Sequence, residues 1–168
     1  MWTADDAYYE GNALDFAYEK YKENNNKTIV GLRTIEDGRD ITNVHRLIGK
    51  DYNSPIMSPF GMMNRELFNE LGGYDRRFIC GQSENDVVMR VREIGGAVVY
   101  CDKKVFVEHD KIHEQGTVFR SPYYTYDRMV LESFWVKDGK IVNNRLLPIE
   151  RFDDKDITTI TQSNKGKW

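Results

Sequence analysis

The chain of 168 residues fits one domain, with enough length to bury a sizeable core without cross-links. A hydrophobic fraction of 40% and a charged fraction of 30% place it among globular proteins, and a net charge of −3 argues against a nucleic-acid-binding surface. No stretch reaches the length of a membrane-spanning helix, the first residues lack a signal-peptide pattern, and Cys80 and Cys101 form neither a disulfide framework nor a metal-type spacing, so reduced thiols in a cytoplasmic protein are expected.

Met1-Trp2-Thr3 reads as the tail of a strand, followed by Asp5-Asp6, which can cap a helix from about Ala7 to Glu23. Leu14, Ala17, Tyr18 and Tyr21 recur at helical spacing and form its expected buried stripe, and three asparagines from Asn24 stop it. Thr28 to Ile35 predicts a strand closed by a turn at Glu36-Asp37-Gly38, and Ile41 to Ile48 a second strand. Ile56 to Met63 is apolar but carries Pro59, which fits a strand end or a loop packed on the core. Asn64 caps a short helix from Arg65 to Leu71 that ends at Gly72-Gly73. Ser83 or Glu84 opens another, with Val87, Val88, Val91 and Ile94 apolar and Gly95-Gly96 at its end. Ala97 to Val107 predicts one or two short strands with His109 just beyond, and Tyr123 to Trp135 a last helix. A turn at Lys137-Asp138-Gly139-Lys140 follows, and the tail after Arg151 reads as polar and irregular. Strands alternating with helices predict an α/β domain with a mixed sheet, without internal repeats.

Three features stand at strand ends or helix starts, where α/β proteins place ligands. Asp5-Asp6 after a strand suits Mg²⁺ or Mn²⁺, which prefer oxygen ligands; the same pair suits a helix N-terminus. In the run from Gly81 to Arg90, Glu84 and Asp86 lie in the first turn of a helix, where a carboxylate can act as general base toward a hydroxyl. Ser83 with Asp86 also has capping-box spacing, and Asp86 with Arg90 is an i,i+4 ion pair. His109 and His113 are four apart, but they follow a strand, with a turn-like Asp110-Lys111 between them.

The order of these features resembles family 2 of the nucleotide-sugar glycosyltransferases, which adopt the GT-A fold. The resemblance rests on Gly61, Arg65, Gly72-Gly73-Tyr74-Asp75, Glu84 with Asp86, Arg90 and Gly95. Asp5-Asp6 falls at the family's metal motif, His109 at a histidine that in some members is a third metal ligand, and Asp127 with Trp135 in its C-terminal helix. The likeness implies a partial GT-A fold, a small mixed sheet flanked by helices. It covers residues 1–135 as the acceptor-side part, with 136–168 as a C-terminal extension. It implies that Mn²⁺ or Mg²⁺ is held by Asp5, Asp6 and His109, and that Glu84 deprotonates an acceptor hydroxyl attacking a nucleotide-sugar donor, with inversion. Gly72, Gly73, Tyr74 and Asp75 would shape the sugar and acceptor pocket, and Tyr8, Tyr9 and Tyr74 are candidates to stack on a sugar.

Two departures accompany the likeness. Aligning on Arg90 sets Ser83 and Glu84 at the family's acidic cluster, so Glu84 takes the place of the usual aspartate base, with Asp86 as the alternative. The nucleotide-binding half expected before the metal motif is not in the sequence, so the chain is expected to be an inactive fragment with a sheet edge open to self-association. The alternative is a non-catalytic carbohydrate- or partner-binding domain on the same scaffold. A metal-dependent hydrolase or nucleotidyltransferase would need more metal ligands than the sequence offers.

Overall fold

In chain order the elements are β1 (Ala7–Tyr9), α1 (Ala13–Lys22), β2 (Thr28–Glu36), β3 (Arg39–Asp40), β4 (Gly61–Met62), α2 (Arg65–Glu70), α3 (Ser83–Glu93), β5 (Ala97–Val107), α4 (Lys111–Trp135), β6 (Val136–Lys137) and β7 (Lys140–Ile141). They come from a computed structural model that describes residues 1, 7–42, 60–108 and 111–152, the side chains of 111–121 excepted. The fold is α/β, with a mixed sheet flanked by helices.

The sheet has the order β1-β5-β2-β3, with β4 also pairing β2. β2 and β5 run parallel, from Thr28 opposite Ala97 to Glu36 opposite Val107. A shift between Leu32 and Arg33 leaves Asp102-Lys103 as extra residues in β5, which is one long bulged strand where one or two short ones were expected. Asp37 (φ 47°) and Gly38 (φ 78°) make the tight turn from β2 to β3. Of the second strand expected over Ile41 to Ile48, residues 43–48 lie outside the described part; the strand that follows the turn is the short Arg39–Asp40.

Alternation along β2 divides the core. Ile29 faces Leu67 of α2, Val87, Val88 and Val91 of α3, and Leu131, Phe134 and Trp135 of α4. Val30 and Leu32 face α1 together with Cys101, Val105 and Val107. Two adjacent layers of this kind bury β2 on both faces, which explains its nearly unbroken apolar run.

The first helix differs from expectation. Ala7–Tyr9 is a strand, antiparallel to β5, with Ala7 opposite Val107 and Tyr9 opposite Val105. Tyr8 stacks on its cross-strand partner Phe106 at 5.1 Å. Gly11, at φ 49°, turns the chain, and α1 begins only at Ala13, with Asn12 in the cap position. Asp5 and Asp6 therefore do not cap α1, and they themselves lie outside the described residues. The later start also rotates the buried stripe. Ala13 and Ala17 are buried and Tyr21 packs beside them, while Leu14 and Tyr18 face solvent. Small residues on the inner face let α1 lie close to the sheet. Ile94, expected in the buried stripe of α3, is at the exposed boundary, because the helix ends at Glu93.

The segment after α4 is built into the domain. β6 and β7 form a hairpin through Asp138 (φ 52°) and Gly139 (φ 71°), at the predicted turn. Val142 and Leu146 N–H groups donate to the carbonyls of Trp135 and Phe134, each at 2.9 Å. Arg145 then enters the interior, donating to Asp75 at 2.8 Å and to Asp86 at 3.0 Å with its side chain 6% exposed. Cys80 is exposed and Cys101 buried, and neither is in a disulfide.

Truncating Arg145 leaves two buried carboxylates short of a donor. Arg145→Ala is expected to lower unfolding free energy by about 3–5 kcal/mol. Arg128→Ala removes the half-exposed i,i+4 pair with Glu132 and is expected to cost about 0.5 kcal/mol or less. Urea unfolding of the two variants checks the contrast.

Candidate functional site

The C-terminus of α2 builds one wall. Asn64 Oδ1 accepts from the Glu66 and Leu67 N–H groups at 2.6 and 3.2 Å, starting the helix as predicted. At the other end, Gly73 N–H reaches back to Phe68 O and Gly72 N–H to Asn69 O, both at 2.9 Å. Gly72 has φ 96°, a conformation that favours glycine, while a Cβ there would meet the movable end of Ile149 at 2.9 Å. Arg90 of α3 donates to the carbonyls of Leu71 and Gly73, placing a cation at the helix C-terminus. Tyr74 packs edge-on against Phe68 at 5.0 Å, and burial pushes its hydroxyl up to about 12.

Three predicted carboxylates meet behind this turn, and two are fully committed. Asp75 is 1% exposed and accepts from Arg77 Nε at 2.9 Å and Nη2 at 2.7 Å, from Arg145 Nη2 at 2.8 Å, and from the N–H groups of Arg77 and Glu150. Burial alone would raise its proton affinity; the bonds from Arg77 and Arg145 outweigh that and hold it well below the usual aspartate range. Asp86 is 0% exposed. Its Oδ1 accepts from Trp135 Nε1 at 2.8 Å and Arg145 Nε at 3.0 Å, and its Oδ2 from Arg90 Nε at 2.9 Å.

Glu84 differs from both. It is half-buried, and among the described residues no basic side chain pairs with it. Ser83 Oγ donates to its Oε2 at 3.3 Å. Burial pushes its proton affinity up, hydrogen bonds from its own N–H, Ser83 and the Gln82 N–H pull the other way, and the charge of Asp127 adds to the rise. The net direction is upward.

Asp127 is a functional candidate that the sequence reading placed only as part of the last helix. It is 0% exposed, and its carboxylate receives the N–H groups of Ile79 at 2.8 Å, Cys80 at 2.7 Å and Gly81 at 2.8 Å. The signal that could have found it is helical spacing: an aspartate at 127 shares a face with buried Leu131 and Trp135. Arg145 was missed too, and a single arginine in a polar-looking segment carries no local signal.

Topology relates this cluster to the sheet. α3 leads into β5 through Gly95-Gly96, where Gly96 N–H donates to Val91 O at 2.8 Å and Ala97 N–H to Lys27 O at 3.3 Å. Glu84 lies at the other end of α3, away from this junction with β5. At the carboxyl end of β5, Ala7 and Val107 are register partners. Asp5, Asp6 and His109 lie just beyond them in sequence, outside the described residues. Among the described residues no group of three or more His, Cys, Asp or Glu could hold a metal ion. Tyr8 is exposed, its hydroxyl donating to Glu108 at 2.7 Å, and Tyr9 packs on the α1 layer. Gly72, Gly73, Tyr74, Asp75, Glu84 and Asp86 thus form one cluster, while Tyr8 and Tyr9 belong to the strand-end region.

No family model and no curated protein sequence matches the chain. No helix of the described residues is long and apolar enough to cross a membrane.

The two shifted carboxylates predict opposite pH effects. Asp75 titrates lower in the folded state, so its contribution is present above its unfolded value of 3.8 and lost as pH falls toward its folded value. Glu84 titrates higher, so stability is full below its unfolded value of 4.5 and declines as pH rises through its folded value. At neutral pH, Asp75→Asn is expected to lower the thermal midpoint, whereas Glu84→Gln leaves it unchanged or raises it. Thermal unfolding of the wild type and both variants from pH 2 to pH 8 checks both signs.

Proposed function

We propose that this chain is the acceptor-side part of an inverting GT-A glycosyltransferase, with Glu84 as the base that takes the proton from an acceptor hydroxyl. The observation that carries the reading is the contrast between Glu84 and its neighbours. Asp75 and Asp86 have their oxygens taken by arginines, so neither is available to a substrate. Glu84 alone of the three has no basic partner among the described residues, stays partly open, and has a raised proton affinity. A general base works best when its pKa approaches the working pH, and burial moves Glu84 in that direction. A non-catalytic sugar-binding domain has no need of an unpaired carboxylate held in so unfavourable a place.

In the step this implies, the acceptor oxygen forms a bond to the anomeric carbon as its proton passes to Glu84. The bond from that carbon to the diphosphate breaks on the opposite face, and the nucleoside diphosphate leaves with the electron pair. One in-line displacement inverts the configuration. The Gly72-Gly73 turn and Tyr74 border the acceptor side, with Asp75 holding that turn through Arg77 and Arg145 rather than touching the sugar.

Asp5, Asp6 and His109 are the residues that would hold Mn²⁺ or Mg²⁺, which when bound supplies charge neutralisation on the departing diphosphate. The register of Ala7 with Val107 supports this assignment, because β1 begins and β5 ends at that pair.

With a nucleotide-binding half supplied in the same polypeptide, Glu84→Gln is expected to lower sugar transfer by about 10²–10⁴-fold with the thermal midpoint retained. Transfer at the unmodified rate in that variant would overturn the base assignment. Mn²⁺ added to the chain is expected to broaden the NMR signals of Asp5, Asp6 and His109, and sharp signals at all three would remove the metal assignment.

A further inference from the structure

We propose that Asp127, on α4, is a positioning residue for Glu84: by gathering the N–H groups of Ile79, Cys80 and Gly81 it fixes the turn from which α3 starts. The inference rests on the reading of Glu84 as the base and adds the device that sets its carboxyl.

Three successive backbone N–H groups pointing to one place form a concavity that ordinarily receives an anion. Here the anion is the carboxylate of Asp127, 46 to 48 residues away in sequence, at 2.7 to 2.8 Å from each nitrogen. Asp127 is fully buried, and among the described residues no basic side chain pairs with it. Its companions on that face of α4, Leu131 and Trp135, are core residues. Packing alone would be served by another apolar side chain, so a bare carboxylate at this position is explained by the N–H groups it holds.

The grip passes directly to Glu84. Gln82, next after the held residues, has φ 65°, a conformation that side chains other than glycine rarely adopt. It is fixed from the front by the Gly81 N–H bond to Asp127 and from behind by Asp86 N–H donating to its carbonyl at 3.0 Å. Asn85 Nδ2 also donates to Gln82 Oε1 at 2.7 Å. The Gln82 N–H in turn bonds the Glu84 carboxylate. α4 grips the turn a second time, one helical turn earlier: a Cβ on Gly81 would lie 3.0 Å from the ring of Tyr124. Releasing Asp127 would therefore free the N–H groups of the turn, relax Gln82 and let the Glu84 carboxyl move toward water.

The charge of Asp127 acts in the same place. Among the described residues the titratable groups that face Glu84 are Tyr74 from the loop after α2 and Asp127 from α4, while Ser83 and the Gln82 N–H on its own turn donate hydrogen bonds to it. Removing the negative charge of Asp127 stabilises the Glu84 carboxylate, and greater hydration acts in the same direction.

The test is the titration of Glu84 in the full chain, followed by ¹³C NMR of its side-chain carboxyl in the wild type, Asp127→Asn and Leu131→Ala. Asp127→Asn is expected to move the Glu84 midpoint down by about one pH unit. Leu131→Ala, which weakens α4 packing one turn further on without touching the held residues, is expected to leave it in place. An unmoved Glu84 midpoint in folded Asp127→Asn, or an equal shift in both variants, would overturn the proposal. Should Asp127→Asn fail to fold, amide exchange in the wild type decides. Cys80 and Gly81 are expected to exchange as slowly as the interior of α3, and exchange at open-loop rates would overturn the clamp. None of these measurements uses sugar transfer, so loss of the base assignment through Glu84→Gln would leave the clamp standing, and the reverse.

Discussion

The carboxylate of Asp86 ties together the elements that make the site. It is wholly buried, and its donors come from α3 itself through Arg90, from the end of α4 through Trp135, and from the following segment through Arg145. Arg90 continues to the carbonyls that end α2, and Arg145 continues to Asp75. Buried charges are tolerated when paired and hydrogen-bonded, and removal of one partner leaves the other uncompensated. Each link in this network therefore constrains the next. The guanidinium groups of Arg77 and Arg145 also lie over the ring of Phe134, at 4.3 and 3.9 Å, so the ionic network is packed directly onto the apolar core.

This arrangement separates Asp75 and Asp86, which arginines hold, from Glu84, the proposed base. Asp86 lies two residues beyond Glu84 and Asp75 directly follows Tyr74, whose hydroxyl feels the charge of Glu84, yet among the described residues arginines hold only the two aspartates. Their environments push proton affinities apart, down for Asp75 through its arginines and up for Glu84 through burial. Separation of this kind is how a fold assigns different tasks to similar side chains. The turn before α3, held by Asp127, adds a second constraint from the opposite side, so the helix start that carries Glu84 is fixed by α4 as well as by the ionic network.

What was legible in the sequence was local. Asn64 before Arg65–Glu70, the glycines that end α2 and α3, the run of β2 and the turn at Asp138-Gly139 each declare themselves within a few residues. The grouping of Glu84 with the Gly72-Gly73-Tyr74-Asp75 turn was expected from the family likeness rather than from periodicity, and of that turn it is Tyr74 that feels the charge of Glu84. What was illegible depends on distant partners. Ala7–Tyr9 is a strand because residues 105–107 are there to pair with it, and the aspartates before it then lose their expected capping role. α4 extends back to Lys111 through Pro122, a residue that in sequence marks a boundary. Arg145 matters through partners 59 and 70 residues away, and nothing in its immediate sequence announces it, whereas Asp127 shows only its helical spacing with Leu131 and Trp135.

One carboxylate of the site, Glu84, has no basic partner among the described residues and holds its proton more tightly than an ordinary glutamate. A ¹³C titration of the side-chain carboxyls of the unmodified chain tests it directly. The account predicts that Glu84 titrates above the other glutamates while Asp75 titrates below the other aspartates. Glu84 titrating with the surface glutamates would contradict it.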